Sequence, residues 1–273
     1  MTVTPIATTA STMQTVASWA VSALHRSSDV VLHRILRPAY FRIEHRVDVR
    51  FDERARIETV RRAHLGELTI ESGNTEFGDD EEIYVAVPVL ALGAMDRVLP
   101  RELRDFVFVD LGSGKGRVLV YASTRPFRRI VGVEFAGELH EIAAANVDTG
   151  RHPRRRCADI DVVHRDAVAF DIPDEPCVFF LFNPFERYVL DQVVDNIRAS
   201  HERNPRPMYV VYHNPVDAAA FDETGLFEEV WSRKRSRRSE CYEVIGYRTR
   251  DAAVAADRDD AMLQVDDDLR GGR

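Results

Sequence analysis

A chain of 273 residues has room for one full domain with an extension, or for two small ones. Hydrophobic residues at 45% and charged residues at 30% are those of an ordinary globular protein with a sizeable core. A formal net charge of -8 argues against a nucleic-acid partner held by phosphate neutralisation alone. Cys157, Cys177 and Cys241 lie far apart, without a C-x-x-C pair or metal-ligand spacing. The N-terminus lacks the basic start of a signal peptide, and no apolar run approaches the ~20 residues of a membrane helix. These features predict a cytoplasmic protein with reduced thiols and no membrane span.

In chain order, residues 1–12 are rich in Thr and Ala and read as a frayed end. From about Met13 to Leu36 apolar residues recur at three- and four-residue steps, which predicts an amphipathic helix or helix pair that Pro38 stops. The stretch from Tyr40 to Leu65 is charged and mixed and reads as helix and loop. SGNTEFGDDEE is a loop by composition, and Pro88 suits the first turn of a helix. From Phe106 the rhythm changes. FVFVDLG, RIVGVEF, IDVVHRD, CVFFLFN and MYVVYHN read as strands, with helices GRVLVYAS, GELHEIAAANV and ERYVLDQVVDNIRAS among them. Strands that are continuous apolar runs alternating with helices predict an α/β, doubly wound, mostly parallel sheet covered on both faces. LFEEVWSRKRS and CYEVIGYRT have no helix between them and predict an antiparallel hairpin. The tail from Asp251 is rich in Asp and Ala and reads as disordered. The boundaries that follow are an N-terminal helical extension and lid at 1–82, a core domain at 83–250 and an acidic tail at 251–273.

The loop after the first strand, DLGSGKGR, places Gly112, Gly114 and Gly116 at alternate positions. Missing side chains let backbone approach a ligand, and glycine reaches angles that other residues avoid. Ligands in open parallel sheets sit beyond the carboxyl ends of the strands, and the next helix aims its amide-rich end there. Asp110 at the strand end suits a positively charged ligand group and would be awkward beside a pyrophosphate. The spacing is G-x-G-x-G, not the G-x-G-x-x-G of dinucleotide binders. Glu134 closes the second strand about 20 residues on, where an acid accepts hydrogen bonds from ribose hydroxyls.

VDLGSGKGR, VGVE, RDAVAFD and FLFNPF together resemble the class I S-adenosylmethionine-dependent methyltransferase family, over roughly residues 83–248. The resemblance implies a seven-stranded Rossmann-like sheet whose last hairpin is antiparallel. It implies S-adenosylmethionine as cofactor, with Asp110, Gly112, Ser113 and Gly114 at its methionine portion and Glu134 at the ribose. It also implies Asp166 and Ala167 at the adenine, and Asn183-Pro184-Phe185 next to the sulfonium methyl. Related amino-group methyltransferases carry Asn- or Asp-Pro-Pro-aromatic at this place, and FNPF has one proline fewer. Asn183 and Pro184 read equally as a helix cap and first turn, and Asp166 as a turn former. Tyr84 lies in the segment from which similar proteins place an aromatic over the cofactor's methyl end. Asn183 and Tyr84 are therefore the candidate catalytic residues.

Tyr212, His213 and Asn214 end the fifth strand and are further acceptor-side candidates, His213 as a general base. SRKRSRR at 232–238 reads as a solvated hairpin tip or a basic patch for an acidic partner. RHPRRRC at 151–157 reads as surface at the opposite end of the sheet. The acceptor stays open between a protein lysine or amine and a small molecule methylated at O or N. A cofactor-binding module without activity and a nicotinamide-dependent oxidoreductase are the rival readings.

Overall fold

The computed structural model describes residues 37–61, 63–64, 83–84, 86–150, 152–234 and 242–250, with backbone alone at 37, 63–64 and 83–84. The helix expected over Met13–Leu36, the loop at 72–82, most of the basic run 232–238, and the acidic tail lie outside the described residues.

The chain's apolar runs become one seven-stranded sheet. Its strands are β3 (Val107–Leu111), β4 (Arg129–Glu134), β5 (Ile160–His164), β6 (Cys177–Phe182), β7 (Met208–His213), β8 (Phe227–Arg233) and β9 (Val244–Thr249), in the order β5-β4-β3-β6-β7-β9-β8. β3 to β7 pair in parallel, while β9 runs antiparallel to both β7 and β8. The expected hairpin forms, and its second strand inserts beside β7, leaving β8 at the edge. A separate two-stranded ladder joins β1 (Ala63–His64) to β2 (Ile83–Tyr84). β3 is central, and the chain turns back across it after β5 to lay down β6. The crevice where strand order reverses therefore opens beyond the carboxyl ends of β3 and β6.

Every residue of β3 is buried, because both faces of the sheet are covered. On one face Val107, Val109, Leu111, Phe179 and Tyr212 pack with Leu190, Val193, Val194 and Ile197 of helix Arg187–Arg203. On the other, Phe108, Ile130, Phe180 and Val211 meet Leu92, Met95 and Val98, together with Val118 and Leu119 of helix Arg117–Ala122.

The extension contributes α1 (Arg37–Ala55), whose Phe51 and Ala55 pack on Val120. Pro38 lies in the first turn of this helix, where its missing N–H has no intrahelical partner to lose; the helix it is expected to stop lies outside the described residues. α1 ends at Arg56, which has a positive φ of 59°. Pro88 stands one residue before the helix Val89–Leu92, which tightens into a 3-10 turn over Gly93–Arg97.

Candidate functional site

Gly112, Gly114 and Gly116 have φ values of 82°, 52° and 79°, a region in which a Cβ is strained. The loop is laid against β4: the amides of Gly112 and Ser113 both donate to the Val133 carbonyl, at 2.9 and 3.0 Å. The amide of Gly114 donates to Glu134 Oε2 at 2.7 Å, and Ala136 N donates to Oε1 at 3.0 Å. A Cβ built on Gly112 would lie 2.6 Å from Pro184 Cβ, so the bare backbone lets the Asn183–Phe185 turn close over the loop. Gly112 and Pro184 thus meet at the mouth of the crevice between β3 and β6.

Asp110 is 2% exposed, and its Oδ2 has no hydrogen-bond partner. Ser113 Oγ, also buried, is likewise unpaired. Burial, and then the neighbouring Glu134 charge, push the Asp110 carboxyl well above the usual carboxylate range. Burial also raises Glu134, against the lowering effect of the amides it accepts. An unmatched buried carboxylate oxygen costs on the order of 1–3 kcal/mol, and a cationic donor from a ligand would remove that cost.

The remaining candidates divide. Asn183 has a φ of 42°, and the Tyr212 hydroxyl donates to its Oδ1 at 3.2 Å, which brings the fifth-strand tyrosine to the FNPF turn. The helix that follows begins at Arg187 with Glu186 at its cap position, so Asn183 does not cap it and Pro184 does not open it. Asp166 caps the short turn Ala167–Ala169, its carboxylate accepting from Val168 N at 2.9 Å, which is the turn-forming role. Ala167 is buried beneath it. Tyr84 pairs through its backbone with Ala63 in the small ladder; its side chain lies outside the described residues.

His213 faces the opposite side of β7 from Tyr212. It is fully buried against Phe180 and Phe182, with both ring nitrogens unpaired. Burial lowers its pKa to about 3, so it is a neutral core residue remote from the Tyr212–Asn183 contact. A cleft of about 600 Å³, lined by Asp96, Pro100, Arg104, Arg125 and Arg156, touches none of the candidate residues. The orphaned carboxylate and the bare loop, not this cleft, define the candidate site.

Sequence reasoning passed over two residues inside the loop motif. Lys115 and Arg117 are each 2% exposed. Lys115 Nζ donates to Arg61 O at 2.7 Å and to Glu58 Oε2 at 3.2 Å. Arg117 reaches Thr59 Oγ1, Asp48 Oδ2 and Val87 O at 2.6, 2.9 and 3.0 Å. The signal was present: the chain has two lysines, Lys115 and Lys234, among 37 basic residues.

No protein-family model and no curated protein matches the chain. Solved structures do align with it. A ribosomal protein L11 methylase from Lactobacillus delbrueckii subsp. bulgaricus is 14% identical, with a TM-score of 0.42 over 58% of this chain and 75% of that one. An RNA methyltransferase from Salinibacter ruber, solved with S-adenosyl-L-homocysteine, is 17% identical, with a TM-score of 0.40 over 60% and 92%. An rRNA methylase from Streptococcus thermophilus is 8% identical, with a TM-score of 0.41 over 57% and 93%. Likenesses this weak say nothing of activity or acceptor. A seven-stranded sheet with an antiparallel last hairpin is what the sequence resemblance implied; the insertion of β9 between β7 and β8 is the chain's own feature. The fold is a Rossmann-like, doubly wound seven-stranded sheet with an antiparallel last hairpin. Among the described residues no helix is long and apolar enough to cross a membrane, and no group of His, Cys, Asp and Glu is arranged to hold a metal ion.

Proposed function

We propose that the protein is an S-adenosylmethionine-dependent methyltransferase. The observation that carries this reading is the unpaired, buried Asp110 Oδ2 beside a loop whose three glycines all have positive φ. A ligand with an ammonium group fits there. A dinucleotide pyrophosphate would meet two buried carboxylates instead, which counts against the oxidoreductase reading.

When bound, the cofactor supplies the electrophilic methyl group; the chain has to position and desolvate the nucleophile. Asp110 accepts the amino-acid end, with Gly112 and Gly114 leaving room for it and Ser113 Oγ at hand. Glu134 accepts the amides of Gly114, Phe135 and Ala136, which leaves capacity on its carboxylate for a ribose hydroxyl. Asp166 and Ala167 form the wall toward the base. Asn183 Oδ1 and the Pro184 carbonyl accept hydrogen bonds from the acceptor and aim its lone pair, and the Tyr212 hydroxyl fixes the Asn183 side chain. These acceptor groups favour an amine, hence nitrogen methylation of a protein lysine or a small amine. Tyr84, whose backbone lies on the ladder that precedes the core, is the aromatic we assign to the methyl end.

Calorimetry with S-adenosylmethionine on the wild type, Asp110→Asn and Glu134→Gln tests the reading. Micromolar binding that both substitutions abolish or weaken, and that a nicotinamide dinucleotide does not compete away, supports it. A folded wild type that takes no cofactor overturns it.

A further inference from the structure

The extension does not merely lie on the core; it is bonded to the glycine loop from below. Arg117, the first residue of the helix leaving the loop, spreads its guanidinium over three elements. Nε meets Thr59 Oγ1, and NH1 meets both Asp48 Oδ2 on α1 and the Val87 carbonyl. Asp52 stands 3.8 Å from Nε and organises the segment beyond α1, accepting from the Thr59 hydroxyl and from the amides of Thr59 and Val60. Asp48 also accepts from Val89 N at 2.9 Å, fixing the start of the next helix. Lys115 makes the second tie, through Arg61 O and Glu58 Oε2. Asn146 makes the third: its amide donates to the carbonyls of Glu58 and Lys115 at 3.0 and 2.9 Å, and its Oδ1 accepts from Glu58 N at 2.9 Å.

Arg117, Thr59, Asp52, Lys115 and Asn146 are all buried, so the bonds among them and to backbone carbonyls are made away from solvent screening, while the Glu58 carboxylate that pairs with Lys115 is exposed. The loop is thereby gripped on two sides. Glu134 holds the Gly114 amide from the strand, and residues 48–61 hold Lys115 and Arg117 from the extension. A loop with three glycines has little conformational preference of its own, so its shape is set by what grips it.

We propose that Lys115 and Arg117 are positioning residues that make the glycine loop's shape depend on residues 48–61 being docked. This deepens the cofactor reading and rests on it for the ligand concerned; the dependence of the loop on the extension stands on geometry alone.

Two variants of the full chain test it. Thr59→Val deletes one hydroxyl from the clamp without adding volume. Arg117→Lys keeps the charge but loses the planar fork that spans three partners. Hydrogen exchange of the ligand-free proteins is read at the amides of 112–116, with β6 and β7 as internal reference. The expected result is exchange about tenfold faster in the loop, the scale of one hydrogen bond to a charged group, with the reference strands unchanged. Unchanged loop exchange in both variants overturns the proposal. A uniform rise across loop and reference strands also overturns it, because that is global destabilisation. S-adenosylmethionine titration then separates the two readings. If the wild type binds, affinity falls about tenfold in the variants, and equal affinity overturns the positioning role. If the wild type does not bind, the cofactor reading fails while the loop-exchange result still decides the clamp.

Discussion

Asp110 sets the character of the site at the scale of single residues. Its carboxyl is raised by burial and by Glu134, so the folded protein holds a proton more tightly than the unfolded chain does. Stability from this group is therefore greatest below the ordinary carboxylate range and falls as pH rises from the unfolded value of 3.8 through the folded pKa. Asp110→Asn removes the charge at constant shape. The ligand-free variant is expected to melt higher at pH 7, by about 2–4 °C for each kcal/mol regained. Its S-adenosylmethionine affinity is expected to fall about tenfold to a hundredfold, the range of a hydrogen bond between charged groups. Scanning calorimetry and titration on the same samples check both, and a lower melting temperature with unchanged affinity would refute the assignment. In the wild type, a cationic ligand draws the proton off Asp110, so binding strengthens as pH rises through its folded pKa. Titrations in buffers of different ionisation enthalpy read that proton release directly.

His213 gives the opposite sign. Its pKa of about 3 lies below the unfolded value of 6.5, so its contribution is whole above pH 6.5 and is lost as pH falls toward 3. His213→Phe replaces two unpaired ring nitrogens with a ring that suits the Phe180 and Phe182 surroundings. We expect higher stability at neutral pH and a shallower loss between pH 6.5 and 4, measured by denaturant midpoints at each pH. A general base would instead show its substitution in turnover.

Elements show how far the residues alone could be read. The inner parallel strands were legible because a strand covered on both faces is a near-continuous apolar run, as CVFFLF is, while β5 (IDVVH), at the edge and partly exposed, was legible from its place in the alternation with helices. The loop was legible because glycine spacing and a strand-end acid are local. The insertion of β9 between β7 and β8 was not, since nothing local in VIGYRT names its neighbour. Nor was the clamp: Asp48, Asp52 and Thr59 are 58 to 69 positions from Arg117, and charged residues in a helix look solvated until the partner is known. Asn183 could be read as a cap or as an acceptor-side residue, and only the helix start at Arg187 rejects the cap. Close packing between elements yields a further prediction at Gly132 of β4. A Cβ there would meet Leu119 Cδ1 at 2.5 Å and Ser113 Oγ at 2.8 Å, so this glycine lets the loop and its helix sit down on the strand. Gly132→Val is expected to cost about 1–3 kcal/mol by overpacking. Because Ser113 is one of the atoms displaced, cofactor binding is expected to suffer along with the melting temperature. Gly225, with no atom within 4 Å of a built Cβ but a φ of 66°, is the control that carries strain without that displacement.

At the scale of the whole molecule the site, the clamp and the sheet form one linked system. The candidate cofactor groups come from β3, β4 and the β6 turn, while the clamp brings in α1 and the segment after it. A ligand that binds only the folded chain stabilises it by an amount fixed by concentration over dissociation constant, about 2.7 kcal/mol at a hundredfold excess. For a chain of this size that is about 5–10 °C. If the extension were an independent appendage, S-adenosylmethionine would raise the melting of the core alone, and a probe on α1 would unfold at its ligand-free temperature. Because Arg117 and Lys115 bond residues 48–61 to the loop that holds the ligand, both parts are expected to shift together. Thermal melting followed by exchange or proteolysis at 48–61 and at β6, with and without cofactor, reads the two separately. Coincident shifts confirm one cooperative unit; a shift confined to β6 shows that the extension is carried by the core without being coupled to its chemistry.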